Sequence, residues 1–487
     1  MPLSAADTDV LIVGAGPVGL FLANECARRG LRWRLVEACA SQSEHSKALA
    51  IFPRTLEIFD MAGLAGPFLE AANRVTSIRV TTRELTLAQL PFAPDNSAYP
   101  FVAMVPQDLT ERLLVEALAR NGGAVEYQTS FIEATQKDDF VHVTVDKHGQ
   151  RETFTAAFVV GCDGAHSTVR ELLQLPFEGG EYRQRFMLAD IETDTALPAA
   201  EMQLCPNRKG PLAIFPMSAT RRRIVAMIDQ AEGDAPSLDL VNRLLAERVP
   251  AGIVARALHW SGYFYIHHRH VTRMREGGMF VAGDAAHIHS PFGGQGMNTG
   301  LQDAWNLVWK LDLFLRGHGK EALLDSYNDE RLPVVKGVIQ TTDHLTRAMG
   351  TPNRLAEALR DVVIPMLSRL APFQRALVQR LSELGIDYRG SPIVEGAGER
   401  YIDDSMRGGT GICSRYLLFL DKNTSAPVMN VARRLADTFA TLVELRPTAH
   451  HAMTLVRPDG YVAFAAASSN DDALESVHAL LDVQTSA

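Results

Sequence analysis

No stretch of this 487-residue chain approaches the ~18 uninterrupted apolar residues of a membrane-spanning helix. No run rich in Lys and Arg stands out and the net charge is −9, which argues against a nucleic-acid partner. The opening residues, MPLSAADTD, lack the basic and apolar regions of a secretory leader, so a cytoplasmic setting is expected. Cysteine is scarce: Cys26, Cys39, Cys162, Cys205 and Cys413 are scattered without a CxxC, against a thiol redox pair or a structural zinc site. The chain also lacks internal repeats and low-complexity segments. With 46% hydrophobic and 22% charged residues it reads as an ordinary globular protein, long enough for roughly two to four domains.

What the chain does have is a nucleotide-binding pattern at its start. Asp9 to Glu37 reads DVLIVGAGPVGLFLANECARRGLRWRLVE. Val10 to Val13 is an apolar run of the kind that forms a buried parallel strand. Gly14, Gly16 and Gly19 follow at GxGxxG spacing, then a helical period to Gly30, then a second strand ending at Glu37. Gly14 suits the tight turn, Gly16 a backbone close to pyrophosphate, and Gly19 close packing of helix on strand. The helix start offers free N–H groups and a positive dipole end to phosphates. A carboxylate about 20 residues on suits a ribose 2′-hydroxyl. The motif alone leaves FAD and NAD both open.

Further along, Lys47 follows a polar turn and reads either as a phosphate contact or as a solvated lysine. Gln107 opens an amphipathic helix and reads either as a polyol or phosphate contact or as a plain helix start. Asp163-Gly164 follows the short apolar strand Phe158–Cys162 and runs into a helix start, a second candidate phosphate or ribose contact. From Phe186 to about Ile266, strand-like pieces alternate with turns, which predicts an antiparallel sheet whose apolar face walls a substrate pocket. Arg221-Arg222-Arg223 reads there as a solvated turn. Met279–Ala282 is another buried strand running into Asp284, a glycine-rich loop from Pro291 to Gly296, and a helix from Asn298 to Leu311. His287 and His289 have no third ligand at recognisable spacing, so no metal is expected. Residues 395–487 read as a small α/β unit with a strand at Tyr416–Leu420 and a closing helix from Asp471 to Leu481.

Three motifs thus stand in order: GAGPVG with Glu37, GCDGAHSTVR, and GDAAHIHSPFGGQGMNTGLQDAWNLVWKL. Over residues 9–345 the chain resembles the single-component flavoprotein aromatic hydroxylases, the group A monooxygenases of the para-hydroxybenzoate hydroxylase-like fold. The tail, with LVRPDGYVA at Leu455–Ala463, is similar to the thioredoxin-like domain of the phenol and polyketide hydroxylase branch, here without the redox CxxC. The resemblance implies an α/β chain. It divides into a Rossmann-type FAD-binding domain (1–180, with strands near 76–104 joining the substrate sheet, and 273–350) and an inserted antiparallel substrate sheet (181–272). A helical connector (351–394) and a thioredoxin-like domain (395–487) follow.

By motif position, the resemblance assigns the FAD pyrophosphate to Gly14, Gly16 and Gly19 with Pro17 and Val18 between them, and the adenosine ribose to Glu37 beside Ala38. Gln107 and Lys47 fall on the FAD chain, although Lys47 stands where the family has arginine and lacks that residue's bidentate fork. Asp163 with Gly164 falls near the pyrophosphate, and Asp284 on the ribityl hydroxyls. Pro291, Gly294, Gly296, Met297 and Asn298 fall against the isoalloxazine. The implied reaction uses NAD(P)H and O2 to hydroxylate a small aromatic through a flavin C4a-hydroperoxide, with no nucleic acid or membrane involved. A homodimer is compatible with it. No side chain need act as nucleophile. Weak candidates for a group assisting the phenol are His45, Tyr263, His289, Pro291 and Arg221. The alternatives are a dehydrogenase, reductase or halogenase of the same fold, or a non-catalytic flavin-binding protein. Trp260-Ser261-Gly262 does not supply the WxWxIP signature of the halogenases.

Overall fold

A computed structural model describes residues 6–43, 46–193, 197–250, 252–289, 294–349, 361, 363–396, 398–409, 414–448 and 452–485. The buried runs seen in the sequence form the centre of a twisted sheet. Its strands lie in the order Arg275–Glu276, Met279–Val281, Gln150–Gly161, Thr8–Val13 and Trp33–Val36. The last four run parallel, as fits strands that are nearly all apolar and covered on both faces. Thr129–Lys137 and Phe140–Lys147 extend the sheet as an antiparallel hairpin beyond it. The helices Pro17–Arg28 and Gly296–Leu315 pack on it, burying Phe21, Leu22, Leu301, Trp305 and Val308 in one core.

The substrate-sheet segment forms an eight-stranded sheet, in the order His287–Ile288, Ala255–Val271, Phe177–Thr193, Arg221–Ile228, Leu212–Pro216, Glu201–Cys205, Ser77–Thr81 and Thr86–Pro91. It is not wholly antiparallel, since Glu201–Cys205 pairs in parallel with Ser77–Thr81. Val102–Met104 lies apart, in a three-stranded sheet with Ala50–Ile51 and Asn73–Val75. Two of the eight strands are 17 residues long and pair along their length. The strand-like pieces at 186–193 and 263–268 are segments of these two strands, because bulges after Glu181, Asp190 and Glu192 interrupt the alternation without ending the ladder.

Side chains alternate across this sheet. Met187, Ala189 and Ile191 pack under the helix Leu238–Arg248, against Leu240, Val241, Leu244 and Leu245. Phe186, Leu188 and Asp190 point to the other face. The arginine triplet is not a solvated turn, because it begins the strand Arg221–Ile228 and only Arg221 is exposed. Arg222 is buried and donates to the carbonyls of Leu197 (2.7 Å) and Arg221 (2.9 Å). Arg223 is buried in a bidentate pair with Asp190, at 2.7 and 2.8 Å.

The C-terminal part is a four-stranded mixed sheet, in the order Val443–Thr448, Tyr416–Asp421, Met453–Val456 and Val462–Ala466, with helices Ala426–Thr438 and Asp471–Gln484. Its core takes in Trp309, Leu313 and Leu323 from the preceding helices. Among the described residues no helix is long and apolar enough to cross a membrane.

Candidate functional site

Ligands of open α/β sheets sit beyond the carboxyl ends of the parallel strands. Here Val13, Gly161 and Val281 are in register on three neighbouring strands. The three motif turns follow within one to three residues of these positions, so the ladder delivers Gly14, Cys162-Asp163 and Gly283-Asp284 side by side, about 4.8 Å per step.

The three glycines do separate things. Gly14 has φ +98°, and a Cβ there would lie 2.6 Å from the Cys162 carbonyl oxygen. A Cβ on Gly19 would lie 2.0 Å from the Gly14 carbonyl oxygen, so helix and turn touch. Gly16 has nothing within 4 Å of where its Cβ would be. Gly16 is also the N-cap of Pro17–Arg28, with no side-chain cap. A turn held tight at both ends, with an open middle in front of free N–H groups, suits a pyrophosphate. Glu37 lies next to it: its carboxylate accepts from the Ala15 amide at 2.8 Å and the Cys39 amide at 2.9 Å.

Asp163 accepts from Ser167 Oγ at 2.5 Å and from the Val169 amide at 3.2 Å. Burial pushes its carboxyl above the ordinary range against those hydrogen bonds. Arg170 donates to the carbonyls of Ala165 (2.8 Å) and Ala285 (3.1 Å), tying the second motif to the third. Asp284 is open to solvent yet ringed by protein. That surrounding raises its carboxyl, with His287 and Lys47 pulling it down. The pull from Lys47 puts that exposed lysine on the same cleft. Its loop is held from the substrate sheet, where Arg223 Nη1 donates to the Lys47 and Ala48 carbonyls, each at 3.0 Å.

Below Asp284, His287 Nε2 lies 2.7 Å from Asp303. Asp303 also accepts from the Gly283 amide (3.1 Å) and from Arg331 Nε (2.7 Å). Burial works against the Asp303 charge, but Arg331 and His287 outweigh it and hold the carboxyl below the usual range. His287 thus fastens the loop to the helix Gly296–Leu315 through Asp303. No cluster of three or more His, Cys, Asp or Glu fit to hold a metal occurs among the described residues.

The helix Gly296–Leu315 starts in this cleft and, like the first helix, has no side-chain cap. A Cβ on Gly300 would lie 2.7 Å from Val18 Cγ2 and 2.9 Å from the Gly283 Cα, so the first turns of the two helices and the Asp284 loop are in contact. Asn298 donates to the Ala50 carbonyl and accepts from the Phe52 amide, both at 2.9 Å, which pins the strand Ala50–Ile51 to the helix start. Gly294 has φ +64°. The His289 ring faces Gly296, its Nε2 being 3.6 Å from where a Cβ would be.

The other sequence candidates fall elsewhere. His45 and Pro291 lie outside the described residues. The Tyr263 side chain packs in the core under Leu238–Arg248, and its hydroxyl is used by the Glu232 backbone at 3.0 and 3.1 Å, on the face away from the cleft. Arg221 is exposed at a strand start, across from Glu192. Gln107 borders the cleft loop but is engaged, accepting from the Ala48 amide (3.1 Å) and donating to Glu111 (2.9 Å). Arg170 and Asp303 gave no signal in the sequence and Arg223 read as solvated, because Arg170 pairs with backbone carbonyls, Arg223 with an acid on another strand, and Asp303 with His287 and Arg331, 16 and 28 residues away.

A model of the FAD binding domain matches residues 7–342. The chain belongs to this family. The 6-methylpretetramide 4-monooxygenase of Streptomyces rimosus is 35% identical over 410 residues, covering 82% of this chain and 73% of that protein. The rifampicin monooxygenase of Streptomyces venezuelae is 31% identical, covering 94% and 95%. Among solved structures, the OxyS anhydrotetracycline hydroxylase from Streptomyces rimosus superposes with a TM-score of 0.78 at 29% identity, covering 96% of this chain and 98% of that one.

Proposed function

We propose that this family member is an FAD-dependent monooxygenase that draws electrons from NAD(P)H and hydroxylates a phenolic or polyketide-like aromatic. The observation that carries this reading is the in-register delivery of three motif turns beside two uncapped helix starts in contact. In it, Gly14, Gly16, Pro17, Val18 and Gly19 bind the pyrophosphate, and Glu37 with Ala38 the adenosine ribose. Asp284 takes the polyol hydroxyls, while Gly294, Gly296, Met297 and Asn298 face the ring. Asp163-Gly164 and Lys47 close the phosphate side, and Gln107 steadies the Lys47 loop. Bound FAD supplies hydride acceptance and oxygen activation.

The chain's own residues then bind, orient and exclude water. The N–H groups starting Gly296–Leu315 offer fixed donors to negative charge developing beside them. Phe264, backed by the buried Phe186 at 5.9 Å on the face that carries Arg223, offers an apolar wall suited to a planar substrate and to keeping water out. Residues 395–487 serve as a thioredoxin-like structural unit, a role supported by the strand–helix–strand, hairpin and helix sequence and by the lack of a CxxC.

The test is a screen of phenols and polycyclic aromatics for stimulated NAD(P)H oxidation, followed by product mass. A product heavier by one oxygen supports the reading. Turnover without oxygen insertion would indicate a dehydrogenase or reductase, and a yellow protein silent toward every aromatic would indicate a binding role.

A further inference from the structure

The segment that closes over the start of Gly296–Leu315 carries a carboxyl group that the reading above does not use. Glu383 follows the helix Ala371–Leu381 and is 2% exposed. Its backbone has φ +60°, a conformation that normally calls for glycine. A glutamate there costs backbone strain, and its side chain reaches the first two turns of the neighbouring helix. Its oxygens lie 2.5 Å from Gln302 Nε2 and 3.5 Å from Thr299 Oγ1. The same segment grips the helix elsewhere, with Gln295 Nε2 donating to the Arg380 carbonyl at 3.2 Å.

Among the described residues no cation forms an ion pair with this carboxyl. Of the charged groups facing it, Arg331 donates to Asp303 at 2.7 Å, to the Thr299 carbonyl at 3.1 Å and to the Tyr388 hydroxyl at 3.2 Å, and Asp303 is itself an acid. The donors Gln302 and Thr299 favour the anion, but the Thr299 contact is long and the carboxyl is buried with no ion pair among the described residues. The Thr299 hydroxyl donates to the Gln295 carbonyl at 3.0 Å, which leaves its 3.5 Å contact with Glu383 weak. Gln302 Oε1 is buried without a partner and would accept a proton carried by Glu383 if the amide turned over. Burial pushes the carboxyl up to about 8, with Arg331, Gln302 and Thr299 pulling down and Asp303 adding to the rise.

We propose that Glu383 is a positioning residue that sets the potential at the start of Gly296–Leu315: as a neutral acid it leaves that end positive, and as an anion it cancels it. This rests on the cofactor placement proposed above. An anion one turn inside a helix start offsets the dipole that would otherwise favour negative charge at the cleft. Reduction of the bound cofactor by NAD(P)H is therefore disfavoured as the pH rises through the titration of Glu383.

Two measurements on wild type, Glu383→Gln and Glu383→Gly test this. Glutamine keeps the hydrogen bonds without the charge, and glycine suits the positive φ. The first is Tm of the flavin-free protein from pH 6 to 9. A carboxyl whose folded value is raised contributes stability that is complete below about 4.5 and is lost as pH rises toward 8. Wild-type Tm should therefore fall with pH relative to both variants. The second is the reduction rate of bound flavin in single turnover at pH 6.5 and pH 9. Wild type should lose about fivefold more than either variant, the equivalent of ~1 kcal/mol at a helix terminus. Parallel pH curves for all three proteins in either measurement overturn the proposal. A protein that binds no flavin overturns the cofactor placement, while the first measurement still decides how Glu383 titrates.

Discussion

The glycines of the first turn make the sharpest single-residue test, because they have different surroundings. Gly16→Ala has free space, so its stability should stay within about 0.5 kcal/mol of wild type, yet its methyl group occupies the place proposed for phosphate and the purified protein should be colourless. Gly19→Ala forces a Cβ to 2.0 Å from the Gly14 oxygen and should cost about 1–3 kcal/mol by denaturant unfolding as well as flavin. Gly16→Ala that keeps its flavin would show that the pyrophosphate lies elsewhere. The tight turn at Gly14 and the close packing at Gly19 were legible in the sequence, since spacing and backbone freedom are local properties. Tyr263 and the arginine triplet were not legible. Which face of the sheet Tyr263 takes depends on register, and Arg223 is buried only because Asp190 stands on the paired strand. Glu383 gave no signal at all, since nothing local marks a glutamate that will sit at positive φ.

At the scale of elements, the tail docks through charge as well as apolar surface. Glu330 accepts from Lys310 (2.8 Å), Arg457 (2.5 and 2.8 Å), Asn306 (2.7 Å) and Ser391 (2.7 Å), all buried. Glu330→Gln leaves the buried Lys310 without its carboxylate, while Arg457 keeps only Asp459 (2.6 Å), and should cost about 3–5 kcal/mol by urea unfolding. Burial opposes the Glu330 charge, but Arg457 and Lys310 hold its carboxyl well below the usual range. Its contribution is complete above the ordinary carboxylate range near pH 4 and is lost only as pH falls through its own lower value. Acid unfolding of wild type should therefore be shallower above pH 4 than below it, and Glu330→Gln should lack the steep lower part. The LVRPDGYVA run was readable as a motif, but its partner Glu330, 127 residues earlier, was not.

For the whole molecule, Trp309, Leu313 and Leu323 belong to the core of the tail although they lie on helices of the nucleotide-binding part. A chain ending at residue 394 should lose that cover together with Arg457, and should be recovered aggregated and without flavin. A truncated protein that stays soluble and yellow would show that the two parts fold independently. The order of the architecture was readable because each buried strand announces itself by apolar runs, whereas the length of the two 17-residue strands was hidden by their bulges. Those strands carry one more implication. Phe177 and Val271, where the long excursion leaves and returns, are paired with each other, so its two ends are already joined by the ladder. The excursion is in effect a cassette with a ready-made seam, and grafting residues 177–271 from a relative, with Arg223 and Asp190 retained, offers a route to chimeras of altered substrate range on an unchanged cofactor frame.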